Sequence, residues 1–215
     1  MSLRVIVAAL PALGLVASAL PAAPSSLTAI EVARRVEKRH AALHSFSAAF
    51  VQTYHSGTLG RSIQESGTVA IRRPGRMRWE YRKPERKLFV CDGVSAYFFV
   101  PADRQVTVKP IEGSEGLAFR LLLGDLNLLD EFSAKLAPSP PGFTPRLVLT
   151  PRKPSAELDE VTLDIDAQFR IVGIEILDPE GNRSQFVFTN LRENPDLPDK
   201  LFHFSIPKGV EVIQG

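Results

Sequence analysis

The sequence predicts a mainly β protein with a minority of helix: one large antiparallel sheet of about ten or eleven strands, preceded by one helix and interrupted by two. Three observations carry that prediction. From Phe46 onward, apolar and polar residues alternate over most of the chain. The spacers between alternating runs are short and rich in Pro, Gly, Asp and Asn. Helical spacing appears in only two places, near residue 30 and between residues 117 and 132. Short spacers join antiparallel neighbours, because a parallel return needs a crossover of a dozen or more residues. An open sheet of this size tends to curl.

The chain begins with an address label. Arg4 precedes the apolar run Val5 to Val16 and then the small residues Ala17-Ser18-Ala19, the pattern of a secretory signal peptide. Residues 1–22 are expected to be removed by cleavage near 19–22, leaving 23–215 as a single domain. The apolar run is shorter than the roughly 20 residues of a spanning helix, and nothing later is a better candidate, so a soluble exported protein is expected. A lipid tether needs a cysteine at the cleavage point, whereas the single cysteine is Cys91, within the apolar run Leu88 to Cys91. One cysteine forms no internal disulfide, and a buried inert thiol is expected there.

The first helix follows Thr28, which has capping-box spacing to Glu31. Ile30, Ala33, Val36 and Leu43 fall on roughly one stripe, with Arg34, Arg35, Lys38 and Arg39 making a basic outer face. Strands follow at Phe46 to about residue 55, 63–73, 77–82, 87–91, 94–100 and 105–109. Two short helices are expected around Leu117 to Leu122 and Leu126 to Phe132, broken at Gly124-Asp125. Strands resume at 146–150, 160–165, 171–177 and 185–191, with a hairpin turn at Asp178-Pro179-Glu180-Gly181-Asn182 and a last strand at 201–206.

Chemistry is bounded mainly by exclusion. Lys plus Arg number 26 against 24 Asp plus Glu, a net charge of +2 that gives no electrostatic case for nucleic acid. His40 and His44 have the i, i+4 spacing of a helical metal pair, but no third ligand is evident, so no metal and no cofactor are expected. No G-x-S-x-G, Walker loop or Cys-His signature is present, and no enzyme is expected. What the strands do offer is an aromatic inner lining of Phe46, Phe50, Trp79, Tyr81, Phe98 or Phe99, Phe186, Phe188, Phe202 and Phe204. A filled core and an apolar hollow for a ligand give the same signal.

One residue breaks the alternation. In the strand Arg76 to Arg82 the charged residues share one face and Met77, Trp79 and Tyr81 the other. On the preceding strand Val69 and Ile71 are apolar-facing, and continued alternation puts Arg73 on their side. A guanidinium there needs acceptors, since it cannot shed its proton. The alternative is that Pro74-Gly75 ends the strand early and Arg73 lies on the rim in water.

The ordered set Phe46 to Gln52, Gly67 to Pro74, Met77-Arg78-Trp79-Glu80-Tyr81, Pro84, Asp92-Gly93 and Phe202-x-Phe204-x-x-Pro207-x-Gly209-Val210 resembles the outer-membrane lipoprotein carrier family, LolA, over essentially the whole mature chain. The resemblance implies an incomplete, strongly curved β-barrel with a helical lid over its concave apolar side. It implies a periplasmic carrier that receives triacylated lipoproteins from an inner-membrane ABC-type releasing complex and delivers them to an outer-membrane receptor, acting as a monomer. The family's arginine of the R-P segment, which holds the lid through helix carbonyls, falls at Arg73, and the large apolar residue four later falls at Met77. The lid helices fall at 115–132. The acyl-chain contacts expected on this resemblance are Phe50, Val69, Ile71, Met77, Trp79, Tyr81, Leu117, Phe119 and Leu122. A lipid- or lipoprotein-sensing domain on the same fold is the alternative.

Overall fold

The structure is a computed structural model and describes residues 27–111, 117, 120–121, 127–138 and 146–215. The leader residues, Phe119 and Leu122 lie outside the described residues.

Helix α1 spans Ala29–Ala41 and starts where the capping box is expected: Thr28 Oγ1 accepts from the Glu31 amide at 3.3 Å while Glu31 Oε2 accepts from the Thr28 amide at 2.8 Å. Val32, Ala33 and Val36 are its buried stripe, and Lys38, Arg39 and His40 lie in its last turn, where cations complement the helix dipole.

Twelve strands form one sheet: β1 (Ser45–His55), β2 (Ser62–Arg72), β3 (Arg76–Lys83), β4 (Lys87–Asp92), β5 (Ser95–Val100), β6 (Gln105–Pro110), β7 (Phe132–Ala137), β8 (Arg146–Pro151), β9 (Glu160–Ile165), β10 (Ile171–Leu177), β11 (Arg183–Glu193) and β12 (Glu211–Gln214). Their spatial order is β12-β6-β5-β4-β3-β2-β1-β11-β10-β9-β8-β7. The chain meanders outward from β1 to β6, crosses to the far edge, and meanders back from β7 to β11 beside β1. The sheet is not closed into a barrel, and its mostly β, single-sheet character is as the sequence predicts.

Three details differ from the prediction. The strand count is twelve rather than ten or eleven. Helix α2 is a single turn, Leu128–Glu131, and Phe132 opens β7 instead of closing a helix. The expected strand at 201–206 is a 3₁₀ turn, Asp199–Phe202, followed by irregular chain; the last strand is β12, which pairs parallel to β6 on the edge of an otherwise antiparallel sheet.

Curvature has local causes. The register slips at Ser47/Ala49, Ser66/Gly67 and Ile171/Gly173, each a bulge that bends its strand. At Gly67 a Cβ would stand 1.9 Å from the Glu80 carbonyl oxygen, so β2 and β3 approach there as only glycine permits.

The concave face holds the main core. Rows run across the strands, among them Ile71–Met77–Cys91 and Val69–Trp79–Phe89. α1 packs its buried stripe into this concavity with Phe132, Leu147, Leu149, Leu163 and Phe188. The convex face, which carries the charged residues of β3, is not bare. The C-terminal segment crosses it: Arg72 and Arg76 pair with Asp199, Arg72 Nη1 donates to the Leu197 carbonyl at 2.6 Å, and Arg78 Nη1 donates to the Leu201 carbonyl at 3.3 Å. Under this strap Ala70, Val90, Val106 and Phe202 are buried apart from the main core. Phe202 lies under the Arg72 guanidinium and Phe204 sits between Tyr97 and Phe99, so these two phenylalanines and Phe99 belong to the convex face rather than the inner lining. Phe98, opposite Phe89, is the concave member of its pair and is exposed.

Candidate functional site

The concave face carries a continuous aromatic surface. Phe50 meets Trp79 edge-on at 4.9 Å and Tyr81 at 5.0 Å, and Trp79 meets Phe186 at 5.3 Å. Phe186 and Phe188 stack at 6.4 Å, and Phe46 closes on Phe188 at 6.0 Å. These rings come from β1, β3 and β11, which alternation aims inward and the sheet order places close together.

Between this surface and α1 lies a mostly apolar cavity of about 60 Å³. Val36 and Leu43 from the helical side, Val69, Ile71 and Trp79 from the sheet, and Leu121 from the crossover are among its walls. Room for one water takes about 10–15 Å³ on this measure, so the space holds roughly four or five water-sized spheres and no long acyl chain. A larger and more polar space of about 680 Å³ adjoins it, sharing Val36, His40, Leu121 and Ile171 and otherwise walled by residues such as Arg34, Glu37, Arg120 and Glu131.

Arg73 enters the same cavity. Its amide donates to the His44 carbonyl at 2.9 Å, and Nη1 donates to the His40 carbonyl at 2.9 Å. His40 lies in the last turn of α1, whose final carbonyls lack helical donors, so the guanidinium sits at the negative end of the helix. The imidazole of His40 is unusual in a second respect: its Nε2 is buried with no hydrogen-bond partner among the described residues. Burial, with the Arg73 charge next in effect, pushes that imidazole down to about 4. At the cavity's edge Arg39 grips Glu193 of β11 with two bonds, Nε to Oε1 at 3.0 Å and Nη2 to Oε2 at 2.5 Å.

The model of the family described as "Outer membrane lipoprotein carrier protein LolA" matches residues 41–205. The chain belongs to the LolA family. An outer-membrane lipoprotein carrier protein of Methylococcus capsulatus is 33% identical over 72% of this chain and 74% of its own. One from Cupriavidus pinatubonensis is 27% identical over 98% of both chains. Among solved structures, an uncharacterized conserved protein from Thermus thermophilus aligns with a TM-score of 0.54 at 16% identity, covering 87% of this chain and 99% of that one, a likeness of fold.

Of the residues that the LolA resemblance singles out, Phe50, Val69, Ile71, Met77 and Trp79 are buried on the concave face, and Tyr81 and Leu117 are partly buried against the same core. Val69, Ile71 and Trp79 line the cavity itself, whereas Met77 lies beneath it, opposite Ile71 and Cys91. Sequence reasoning missed the far wall, where Phe169, Ile171, Ile174 and Leu191 face α1. It also read His40 only as half of a metal pair; among the described residues no three His, Cys, Asp or Glu side chains gather as metal ligands. The signal for the far wall was the alternation of β10 and β11, which shows facing but not which rows meet a helix.

Proposed function

We propose that this protein carries lipoproteins across the periplasm: it takes up the acyl chains of triacylated lipoproteins released from the inner membrane by an ABC-type complex, and gives them to a receptor at the outer membrane. Its first 22 residues then serve as the export signal, and among the described residues no helix is long and apolar enough to cross a membrane. The supporting observation is the concave aromatic surface covered by α1 and the crossover, in a chain of the LolA family.

Magnitudes favour a container of this kind. Burying methylenes is worth about 0.8 kcal/mol each, so one sixteen-carbon chain represents about 12 kcal/mol and several together cannot cross water uncovered. The carrier must nevertheless bind less tightly than the destination membrane does. A cover that closes onto the empty hollow meets this need, because cargo must first displace α1 and the crossover from the walls they occupy, and that cost is subtracted from affinity. Arg73 holds α1 in the closed position and acts as the latch of this cover. Phe50, Val69, Ile71, Met77, Trp79, Tyr81 and Leu117 furnish the acyl wall. No step of the cycle makes or breaks a covalent bond, so the role is that of a chaperone and not an enzyme.

The test is to incubate the purified mature protein with spheroplasts of the source cell and analyse the supernatant by acyl labelling and mass spectrometry. Lipoproteins in soluble complex with it are the expected result. Free lipids alone, or nothing bound while the release machinery is active, would overturn the carrier reading, the second in favour of a sensing domain.

A further inference from the structure

The inner face of the sheet is not apolar along its whole length. Just beyond the aromatic surface, Gln52 of β1, Glu65 of β2, Tyr81 of β3 and Lys87 of β4 share the concave side, Gln52 opposite Glu65 and Lys87 opposite Tyr81. The Tyr81 hydroxyl donates to Gln52 Oε1 at 2.8 Å, and Lys87 Nζ donates to Glu65 Oε1 at 2.6 Å. Lys87 Nζ also stands 6.0 Å from the centre of the Tyr81 ring, which in turn packs on Phe50. The four groups therefore adjoin the aromatic surface, with Phe50 and Trp79 between them and the cavity.

Two features set this row apart from ordinary surface polarity. The Glu65 side chain is 12% exposed and that of Lys87 27%, so the pair is largely removed from water. A desolvated ion pair seldom favours folding over apolar residues of the same shape, and a wall meant only for hydrocarbon gains nothing from one. The row also has a chemical bias. Lys87 has two ammonium hydrogens beyond the one given to Glu65, and no acceptor among the described residues takes the amide hydrogens of Gln52. Surplus donors fit a ligand group that accepts and cannot donate, and ester and amide carbonyls are such groups.

We propose that Gln52, Glu65, Tyr81 and Lys87 form a polar subsite at the end of the concave aromatic surface that binds the carbonyls joining acyl chains to glycerol and to an amine, while the chains run inward past Phe50 towards Trp79 and the cavity beyond it. This rests on the carrier reading and adds to it an orientation: the linkage stays at the polar row and the methyl ends point towards α1. Glu65 holds the Lys87 ammonium in place, and Tyr81 fixes the Gln52 amide so that its nitrogen faces the ligand.

The experiment compares the unaltered mature protein with the Glu65→Leu/Lys87→Met double variant, which removes both charges together and keeps volume, and with Lys87→Arg, which keeps a cationic donor. Three ligands are titrated: 1-hexadecylpyrene, which has a chain and no carbonyl, dipalmitoylglycerol, and a triacylated cysteinyl peptide. The double variant is expected to bind the hydrocarbon unchanged and to lose about tenfold affinity for the carbonyl-bearing ligands, the scale of one good hydrogen bond, with Lys87→Arg restoring most of it. Loss for the diacylglycerol and the peptide alike assigns the donors to glyceryl esters; loss for the peptide alone assigns them to the amide. Unchanged affinity for all three ligands in the double variant, or equal loss for all three, overturns the subsite. If the unaltered protein binds none of them, the carrier reading fails and takes the subsite with it.

Discussion

At the C-terminal end of α1, the carbonyl and the imidazole of His40 answer to the same neighbour, Arg73. The carbonyl accepts a charge-assisted hydrogen bond, worth about 1.5–3 kcal/mol. Arg73→Leu removes it, leaves the leucine compatible with the apolar wall, and shifts the cover towards its open state. Cargo should then be harder to release: transfer of a triacylated peptide from the protein to liposomes is expected to slow about tenfold or more, the factor that 1.4 kcal/mol represents. An unchanged transfer rate would remove Arg73 from the latch role. The imidazole titrates in the opposite sense to a stabilising pair. Unfolded, it takes up a proton near 6.5; folded, it stays neutral to about 4. Between those values the unfolded chain binds the extra proton, so stability is fully present above about 6.5, declines as the pH falls towards 4, and levels off below. The charged groups around it include Arg73 and the Arg39–Glu193 pair, none of which offers the new charge an unshared carboxylate. His40→Leu should flatten the decline by about one proton's worth, about 3 kcal/mol across the window, in urea unfolding series at several pH values. Of these two residues only Arg73 was legible in sequence, because an arginine in phase with Val69 and Ile71 violates a strand pattern, whereas a histidine on a helix violates nothing.

Elements were legible in proportion to how strongly one face is buried. The expected strands from β1 to β6 and from β8 to β11 are present because their alternation has a core side and an outer side. β7 was hidden because Leu128, Leu129 and Phe132 continue at spacings a helix also has; the real alternation starts at Phe132 and runs Phe132, Ala134, Leu136, facing Pro151, Leu149 and Leu147. β12 was hidden for the reverse reason, since all four of its residues are exposed and nothing in its pattern records the pairing with β6. Phe202 and Phe204 alternate like a strand but are the two anchors of the strap. Gly67 matters at this scale although strand alternation gives it no role. Gly67→Ala drives a methyl into the Glu80 carbonyl, and separation of β2 from β3 should cost about 2 kcal/mol or more, a fall in Tm of about 4–8 °C by circular dichroism. A Tm within about 1 °C of the unaltered protein would show that the sheet flexes there without strain.

The whole molecule depends on both faces of one sheet being covered, the concave face by α1 with Leu117, Leu121 and Leu128 and the convex face of β2–β6 by the C-terminal strap. A chain ending at Asp196 lacks Phe202 and β12 and uncovers Val90 and Val106. Burial of an apolar side chain is worth about 1.5–3 kcal/mol, so the loss is about 5 kcal/mol, comparable with the lower end of a domain's total stability. Thermal unfolding should move down by more than about 10 °C; a midpoint near that of the full chain would make the strap dispensable. β6 and β7 lie near opposite margins of the sheet, like the two limbs of a bow, and α1 packs in the concavity between them. Anything that wedges beneath α1 must draw the limbs together or let them spread. Loading would therefore be felt as bending of the sheet, and part of the uptake free energy would be held as elastic load that favours ejection at the destination. Spin labels at Lys109 of β6 and Ser133 of β7, both exposed, would register this as a change of span when the acylated peptide enters. An unchanged span would mean that the limbs are rigid and α1 alone gives way.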